Sequence, residues 1–174
     1  MAEMIAPTVA LHRQWLDLRN DFGRGAHIAG AGLHDEDDVD SVEGFAAWVR
    51  RLGTESDPAA PVAPERVHCT YWWIAEGDAV LGSIALRHEL NDFLLNAGGH
   101  IGYSVRPSAR RRGLASYAVG EVVKEAAALG LPRVLITCDV TNEASRRTIL
   151  GAGGIQEDVR DTVLGTVRRF WMAL

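Results

Sequence analysis

Residues 101–119, IGYSVRPSARRRGLASYAV, carry the strongest signal for the architecture of this chain. A strand-like apolar run ends at a proline, three arginines follow as Arg110 to Arg112, and Gly113 precedes an apolar segment with helical spacing. The start of a helix offers unpaired backbone N–H groups and the positive end of the helix dipole, so it attracts anions. Forked arginine donors suit a diphosphate, and a glycine permits close approach to the backbone. The arginines alone leave a solvated basic turn open as the alternative.

The elements around this stretch predict an α/β (α+β) fold with one mixed, mostly antiparallel sheet of about seven strands and helices on both faces. A short first strand stops at Pro7, and two helices that begin after Thr8 and Ser41 are expected to end at Gly23 and Gly53. Aromatic and β-branched residues after position 67 indicate strands. The later elements expected are a hairpin turning at Gly77, a loop through 91–99, a strand at 100–105, a helix at about 114–129, a strand at 133–140, a short helix ending in glycines, and a final hairpin turning at Gly165.

The composition is that of an ordinary globular protein, with 47% hydrophobic and 24% charged residues among 174. This length fits a single domain over residues 1–174. A net charge of −5 with one local basic cluster gives no extended surface for nucleic acid. There is no secretory signal and no apolar run long enough to span a bilayer, so we expect a cytoplasmic protein that does not bind membranes.

Several common cofactor and metal patterns are missing from the sequence. It contains neither a Walker loop nor a GxGxxG fingerprint after a first strand. The two cysteines, Cys69 and Cys138, each lie inside a strand-like apolar run, and there is no CxxC or HExxH spacing. We therefore interpret both as buried thiols and expect no metal site.

Two segments resemble the acetyl-coenzyme A (acetyl-CoA) binding half of the general N-acetyltransferase (GNAT) superfamily. They are residues 101–119 and RVLITCDVTNEASRRTILGAGGI, residues 133–155. The shared pattern is a strand ending in V-x-P, R-x-x-G-x-A at the start of a helix, a further strand, and N-x-x-S on a short helix that ends in glycines. N-x-x-S is typical of the branch that includes ribosomal-protein N-terminal acetyltransferases. The likeness is good over residues 80–155 and extends to the flanks in element order only.

The resemblance implies acetyl-CoA as co-substrate. The strand that ends at Val105 and the strand 134–139 would splay apart, and the pantetheine arm would lie in the gap like an added strand. The diphosphate would rest on the loop and helix start that follow. The cofactor-binding residues implied in this way are Tyr103, Ser104, Val105, Arg110, Arg111, Arg112, Gly113, Leu114, Ala115 and Asn142.

Acetyl transfer from a thioester to an amine requires a neutral amine, a stabilised oxyanion and a proton for the departing thiolate. Members of the family often place a tyrosine seven positions after the motif asparagine, but Ile149 stands there in this chain. The resemblance therefore points to Ser145 as the proton donor. The alternative is that Asn142 only caps the helix and Ser145 only faces its first turn.

The amine must also lose a proton, because an alkyl amine has a pKa of about 10. We expect Glu89, at the end of a strand, to be the base, with Asp92 and His88 as weaker candidates; the alternative is that Glu89 is an ordinary turn carboxylate. His100 follows Gly99, where some members of the family carry a glutamate or a histidine, and is expected to be a core or surface histidine. A water chain could also carry the proton.

The function predicted is an N-acetyltransferase for a primary amine of a small molecule or peptide. An acyl-CoA-binding module without turnover, or a different nucleotide-binding α/β domain, would fit the same residues. The acidic run Asp35 to Asp40 could attract a cationic acceptor or form a solvated loop. The last hairpin could pair with a second copy of the chain in a homodimer.

Overall fold

The computed structural model describes all 174 residues and contains one mixed sheet of seven strands. The strand order is β1-β2-β3-β4-β5-β7-β6, and every neighbouring pair is antiparallel except β4 and β5. The expected fold class is confirmed. The strands are β1 Glu3–Ile5, β2 Cys69–Glu76, β3 Ala79–Arg87, β4 Ile101–Val105, β5 Arg133–Asp139, β6 Ile155–Thr162 and β7 Gly165–Ala173.

Helices cover both faces of the sheet. Side chains alternate along a strand, so Trp73 and Ile74 of β2 point to opposite faces, and each belongs to a different apolar cluster. Ile74 packs with the buried side of α3, whereas Trp73 packs with residues of α1 and α2 such as Trp15 and Trp48. The helices are α1 His12–Phe22, preceded by a 3-10 turn Val9–Leu11, α2 Val42–Ser56, α3 Leu114–Ala128 and α4 Glu143–Gly151.

Helix α2 runs three residues beyond the stop predicted at Gly53. A Cβ at Gly53 would meet no other atom within 4 Å, so this glycine lies on the open side of the helix and does not end it. The last turn is held by Glu55, which accepts from Arg51, and by Ser56, whose Oγ donates to the carbonyl of Leu52. The start is as expected, because the Oγ of Ser41 accepts the N–H of Gly44 at 3.0 Å.

The segment 91–99, expected to be a loop, contains a π-helical turn over Leu94–Gly98. The side chain of Asn91 accepts the N–H of Leu94 at 2.9 Å, and Leu94 and Ala97 are buried. Arg169, a buried guanidinium on β7, donates to the carbonyl of Leu95 at 3.0 Å. Polar and apolar contacts thus order this segment beside the sheet, although its sequence has little helical periodicity.

Strands β4 and β5 separate almost as soon as they meet. They share a single residue pair, Ile101 with Ile136, and then diverge. His100 bonds to β5 at the end where the two strands pair. Its backbone N–H donates to the carbonyl of Leu135 at 2.7 Å, and its Nδ1 accepts the N–H of Leu135 at 2.8 Å. Burial lowers the pKa of His100 to about 4, helped by the charges of Arg87 and Arg133. His100 is therefore a core histidine below an open gap in the sheet.

Candidate active site

A cavity of about 600 Å³, here called the smaller cavity, lies at the start of α3. The first hydrogen bond within this helix runs from Tyr117 N–H to the carbonyl of Gly113 at 2.9 Å. The amides of residues 114–116 consequently have no partner inside the helix. Most of the residues expected to bind the cofactor line the smaller cavity, namely Tyr103, Ser104, Val105, Arg110, Arg111, Gly113, Leu114, Ala115 and Asn142.

The loop before α3 has an unusual backbone. Arg111 has a φ of 62°, the only positive φ among the non-glycine residues, and Gly113 has a φ of 76°. Such left-handed residues turn successive N–H groups toward one side and form concave anion sites. Arg110 is anchored by a bond from its Nε to the carbonyl of Val105 at 3.1 Å. The loop therefore combines exposed amides with two guanidinium groups at one end of the smaller cavity.

Arg112, by contrast, does not line the smaller cavity. Its Nη2 donates to Oε2 of Glu76 at 2.6 Å, at the turn between β2 and β3. The left-handed backbone of the residues on either side directs this side chain toward that turn. A role for Arg112 in cofactor binding stays a prediction that this geometry does not support.

A second cavity of about 960 Å³, here called the larger cavity, is bounded by the irregular segment 27–34, α2, the segment 61–67, the π-helical turn and the ends of β3, β4 and β5. Three polar side chains in its wall are joined by hydrogen bonds. Glu55 accepts from the hydroxyl of Tyr71 at 2.6 Å and from Arg51 at 2.7 Å. Cys138 also lines this cavity, and burial raises the pKa of its thiol, which stays protonated.

The two cavities meet where β4 and β5 diverge, and five residues line both: His27, Ala29, Tyr103, Asn142 and Ser145. At this junction the hydroxyl of Tyr103 lies 2.7 Å from Oγ of Ser145. Asn142 caps α4 by accepting the N–H of Ser145 at 3.0 Å, which fixes the serine on the first turn. Burial raises the pKa of Tyr103, so its hydroxyl keeps its proton. The junction therefore presents two neighbouring hydroxyl groups between two cavities.

The sequence indicated Ser145 and Asn142 here but missed the side chain of Tyr103, for which only main-chain bonding was expected. It also missed His27 and Ala29. Both residues lie on the glycine-rich segment 23–34. Its glycines were the sequence signal that could have predicted close packing of this backbone against another element. Oγ of Ser104 donates to the carbonyl of Ala29 at 2.8 Å, and a Cβ on Gly30 would stand only 2.4 Å from the carbonyl oxygen of Gly102. This segment therefore lies directly against β4.

Glu89, expected to be the base, is exposed and lines neither cavity. It follows the end of β3, where the chain leaves the sheet, and no hydrogen bond or ion pair turns it toward the junction. The geometry gives no support to Glu89 as base, and its role stays a prediction.

Three carboxylates of the acidic run Asp35 to Asp40 bond to nearby side chains. Asp37 pairs with Arg51 at 2.6 Å, Asp38 accepts from the hydroxyl of Ser41 at 2.7 Å, and Asp40 pairs with Arg19 at 2.7 Å. None of its carboxylates lines either cavity. Of the two alternatives for this run, attraction of a cationic acceptor or a loop at the surface, the geometry favours the loop.

Comparison with known proteins agrees with this geometry. The model of the acetyltransferase (GNAT) domain matches residues 26–154, and the chain therefore belongs to the GNAT acetyltransferase family. Ribosomal-protein acetyltransferases, the branch that the sequence resembles, are among its structural neighbours. No curated protein matches the chain in a sequence search.

Three solved structures illustrate the likeness, each over 99% of this chain. RimJ from Mycobacterium smegmatis in complex with CoA-disulfide has a TM-score of 0.74 at 15% identity, with 81% of its chain covered. RimL, a ribosomal L7/L12 alpha-N-protein acetyltransferase in complex with coenzyme A, has the same TM-score and identity, with 94% covered. The microcin C7 self-immunity acetyltransferase MccE, in complex with acetyl-CoA and AMP, has a TM-score of 0.70 at 14% identity, with 92% covered. At these identities the likeness concerns the fold.

None of the helices of this chain has the length and apolar character needed to cross a membrane. The chain has no group of three or more His, Cys, Asp and Glu side chains arranged to hold a metal ion.

Proposed function

We propose that this protein is an acetyl-CoA-dependent N-acetyltransferase that acts on a primary amine of a small molecule or peptide. One observation carries the proposal: the smaller cavity, with its anion-binding loop, joins the larger cavity at Tyr103 and Ser145. A thioester held on one side of the sheet can there meet an amine that arrives from the other. The neighbour RimL, a ribosomal L7/L12 alpha-N-protein acetyltransferase, supports a peptide amino terminus as one class of acceptor.

The smaller cavity fits the co-substrate by its chemistry. The unpaired amides of residues 114–116 and the guanidinium groups of Arg110 and Arg111 would hold the diphosphate. Main-chain groups of β4 near Tyr103 and Val105 face a gap without a partner strand and would bind the pantetheine amides. Acetyl-CoA supplies the activated acyl group.

The hydroxyl pair supplies the proton for the departing thiolate. Ser145 lies on the first turn of α4 at the junction, and Tyr103 can donate to Ser145 as the serine proton is transferred. This pair takes the place of the tyrosine that Ile149 replaces in the motif. Ser145 is then the proton donor and Tyr103 its supporting group.

His27 takes the proton from the amine in this proposal. It is exposed, it lines both cavities, and imidazole is the side chain that most often serves as general base. Glu55 also lines the larger cavity, but each of its carboxylate oxygens is already bonded, one to Arg51 and the other to Tyr71.

The test is an acceptor screen over amino acids, polyamines, aminoglycosides and peptides, read by release of free thiol from acetyl-CoA. Turnover with at least one amine supports the proposal. Binding of acetyl-CoA without turnover across the panel would instead support an acyl-CoA-binding module. Failure of acetyl-CoA to bind or to raise the thermal stability would contradict both.

A further inference from the structure

The larger cavity contains a guanidinium group without a carboxylate partner. Arg87, the last residue of β3, is half-buried, and its Nη1 donates to the carbonyls of Gly98 at 3.2 Å and Gly99 at 3.1 Å. No carboxylate forms an ion pair with it. Nε and Nη2 of Arg87 make no hydrogen bond within the chain.

Other charged groups of the larger cavity are already engaged. Arg51 pairs with Asp37 and Glu55, so its charge is compensated. Asp139 accepts two bonds from Thr141, at the N–H and the hydroxyl. Among the carboxylates that line this cavity only the exposed Glu65 makes no such bond, and it forms no ion pair with Arg87.

Arg66 also lacks a carboxylate partner, but it differs from Arg87 in burial. It is exposed and donates to Nε2 of His34, whose pKa is lowered by burial and by the charges of Arg51 and Arg66. A neutral imidazole accepts this bond. Arg87 is therefore the half-buried cation of the larger cavity that lacks a compensating anion, and such groups are costly unless a partner arrives.

The guanidinium of Arg87 is open to the cavity because its neighbour on β4 has no side chain. A Cβ on Gly102 would stand 3.6 Å from Nη1 and 3.7 Å from Nη2 of Arg87. Gly102 directly precedes Tyr103, whose hydroxyl meets Ser145 at the junction. Arg87 therefore lines the same cavity as the junction at which the reacting amine would arrive.

We propose that Arg87 binds a carboxylate of the acceptor. The preferred acceptors are then amines that also carry a carboxylate group, such as peptides with an acidic residue near the free amino terminus. A guanidinium offers two parallel donors to a carboxylate, and such charge-assisted bonds are stronger than neutral ones. This inference rests on the proposed function for the identity of the reacting amine. The binding of the carboxylate itself does not depend on turnover.

The experiment compares two short peptides that share a free amino terminus and differ only in Asp or Asn at the second position. The full chain, Arg87→Gln and Arg50→Gln are titrated with each peptide by calorimetry, and kcat/KM is measured by thiol release. Arg50 is a suitable control because it lies exposed on α2 and its side chain makes no hydrogen bond. Loss of a charge-assisted bond usually weakens binding about tenfold or more.

We expect the unaltered protein and Arg50→Gln to favour the Asp peptide about tenfold, and Arg87→Gln to treat both peptides alike. A second variant, Gly102→Ala, covers the guanidinium and keeps its charge; since the new methyl group meets no atom closer than 3.5 Å, it should fold and show the same loss. An unchanged preference for the Asp peptide in Arg87→Gln overturns the proposal. If that variant fails to fold, an unchanged preference in Gly102→Ala overturns it. Equal binding of both peptides by the unaltered protein also overturns it.

The two readouts separate this inference from the proposed function. Peptide preference in calorimetry without thiol release from these peptides or from any amine of the acceptor screen would leave Arg87 as a carboxylate site and contradict the transferase activity. Thiol release without any carboxylate preference would support the activity and overturn the role of Arg87.

Discussion

The hydroxyl oxygen of Tyr103 on β4 lies 2.7 Å from Oγ of Ser145 on α4, and both residues line the smaller and the larger cavity. The bond spans the gap between β4 and β5. The backbone N–H of Ser145 is bonded by the side chain of Asn142, which places the serine on the first turn of α4. In the proposed function this pair is the proton donor for acetyl transfer.

Replacing Ser145 by Ala should lower kcat about 100-fold, in the range usual for the loss of a general acid, with acetyl-CoA affinity nearly unchanged. Tyr103→Phe should lower kcat by a smaller factor, and the double variant should be no slower than Ser145→Ala, because the two groups act as one unit. Thiol-release kinetics and calorimetry measure the two quantities. Tyr117→Phe, on an exposed side of α3, is the matched control. Unchanged turnover in Ser145→Ala would remove this residue from the mechanism.

The base can be tested by a pair of substitutions. His27→Gln should lower kcat at least tenfold because His27 lies at the junction, whereas Glu89→Gln should leave it unchanged because Glu89 is exposed outside both cavities. His68→Gln, whose ring bonds only the carbonyl of Ala60, controls for the loss of an imidazole. A large effect of Glu89→Gln together with none of His27→Gln would restore the original prediction for Glu89.

The three arginines before α3 should differ in their effect on cofactor affinity. Arg110→Ala and Arg111→Ala should each weaken CoA binding about tenfold, since both line the smaller cavity. Arg112→Ala should have a clearly smaller effect, because its guanidinium is paired with Glu76. Calorimetric titration with CoA gives the ranking, and rising salt should reduce the affinity of the unaltered chain most. Equal losses in all three variants would contradict the assigned geometry.

Gly30 should tolerate no side chain. Gly30→Ala would bring its Cβ to 2.4 Å from the backbone oxygen of Gly102, and the residue has a φ of 80°, so it combines overpacking with backbone strain. We expect a loss of about 2 to 3 kcal/mol in the free energy of unfolding and reduced turnover as the segment moves off β4. Gly25→Ala, with a φ of 77° and no atom within 4 Å, isolates the backbone strain and should cost about 1 kcal/mol. Urea unfolding compares them, and equal losses would contradict close packing of Gly30.

His100 should make the stability depend on pH. Its pKa is about 4 in the folded protein against 6.5 in an ordinary histidine, so the unfolded chain takes up a proton first as the pH falls. The free energy of unfolding should therefore drop between pH 6.5 and 4, by at most about 3 kcal/mol, and this contribution should be constant below pH 4. His100→Asn can still accept the N–H of Leu135 without titrating and should flatten this window. An unchanged pH profile in that variant would exclude His100 as its source.

Local patterns explain what was predictable. The cap at Asn142, the helix start at Gly113 and the turns at Gly77 and Gly165 each depend on residues within one turn of the chain, and the structure has all four. The stop predicted at Gly53 was wrong because a single glycine on the open side of a helix does not outweigh the contacts of the following turn.

Spacing, capping residues and glycines along the chain were enough to predict the order of elements, the strand that ends before the start of α3, and the serine on a capped helix. Three contacts come instead from the packing of distant elements: Tyr103 meets Ser145 across 42 positions, Ser104 bonds Ala29 across 75, and Arg112 pairs with Glu76. These contacts depend on strand register and on the opening between β4 and β5. Contacts between residues so far apart in the sequence cannot be predicted from local patterns, because the packing of the whole sheet determines them.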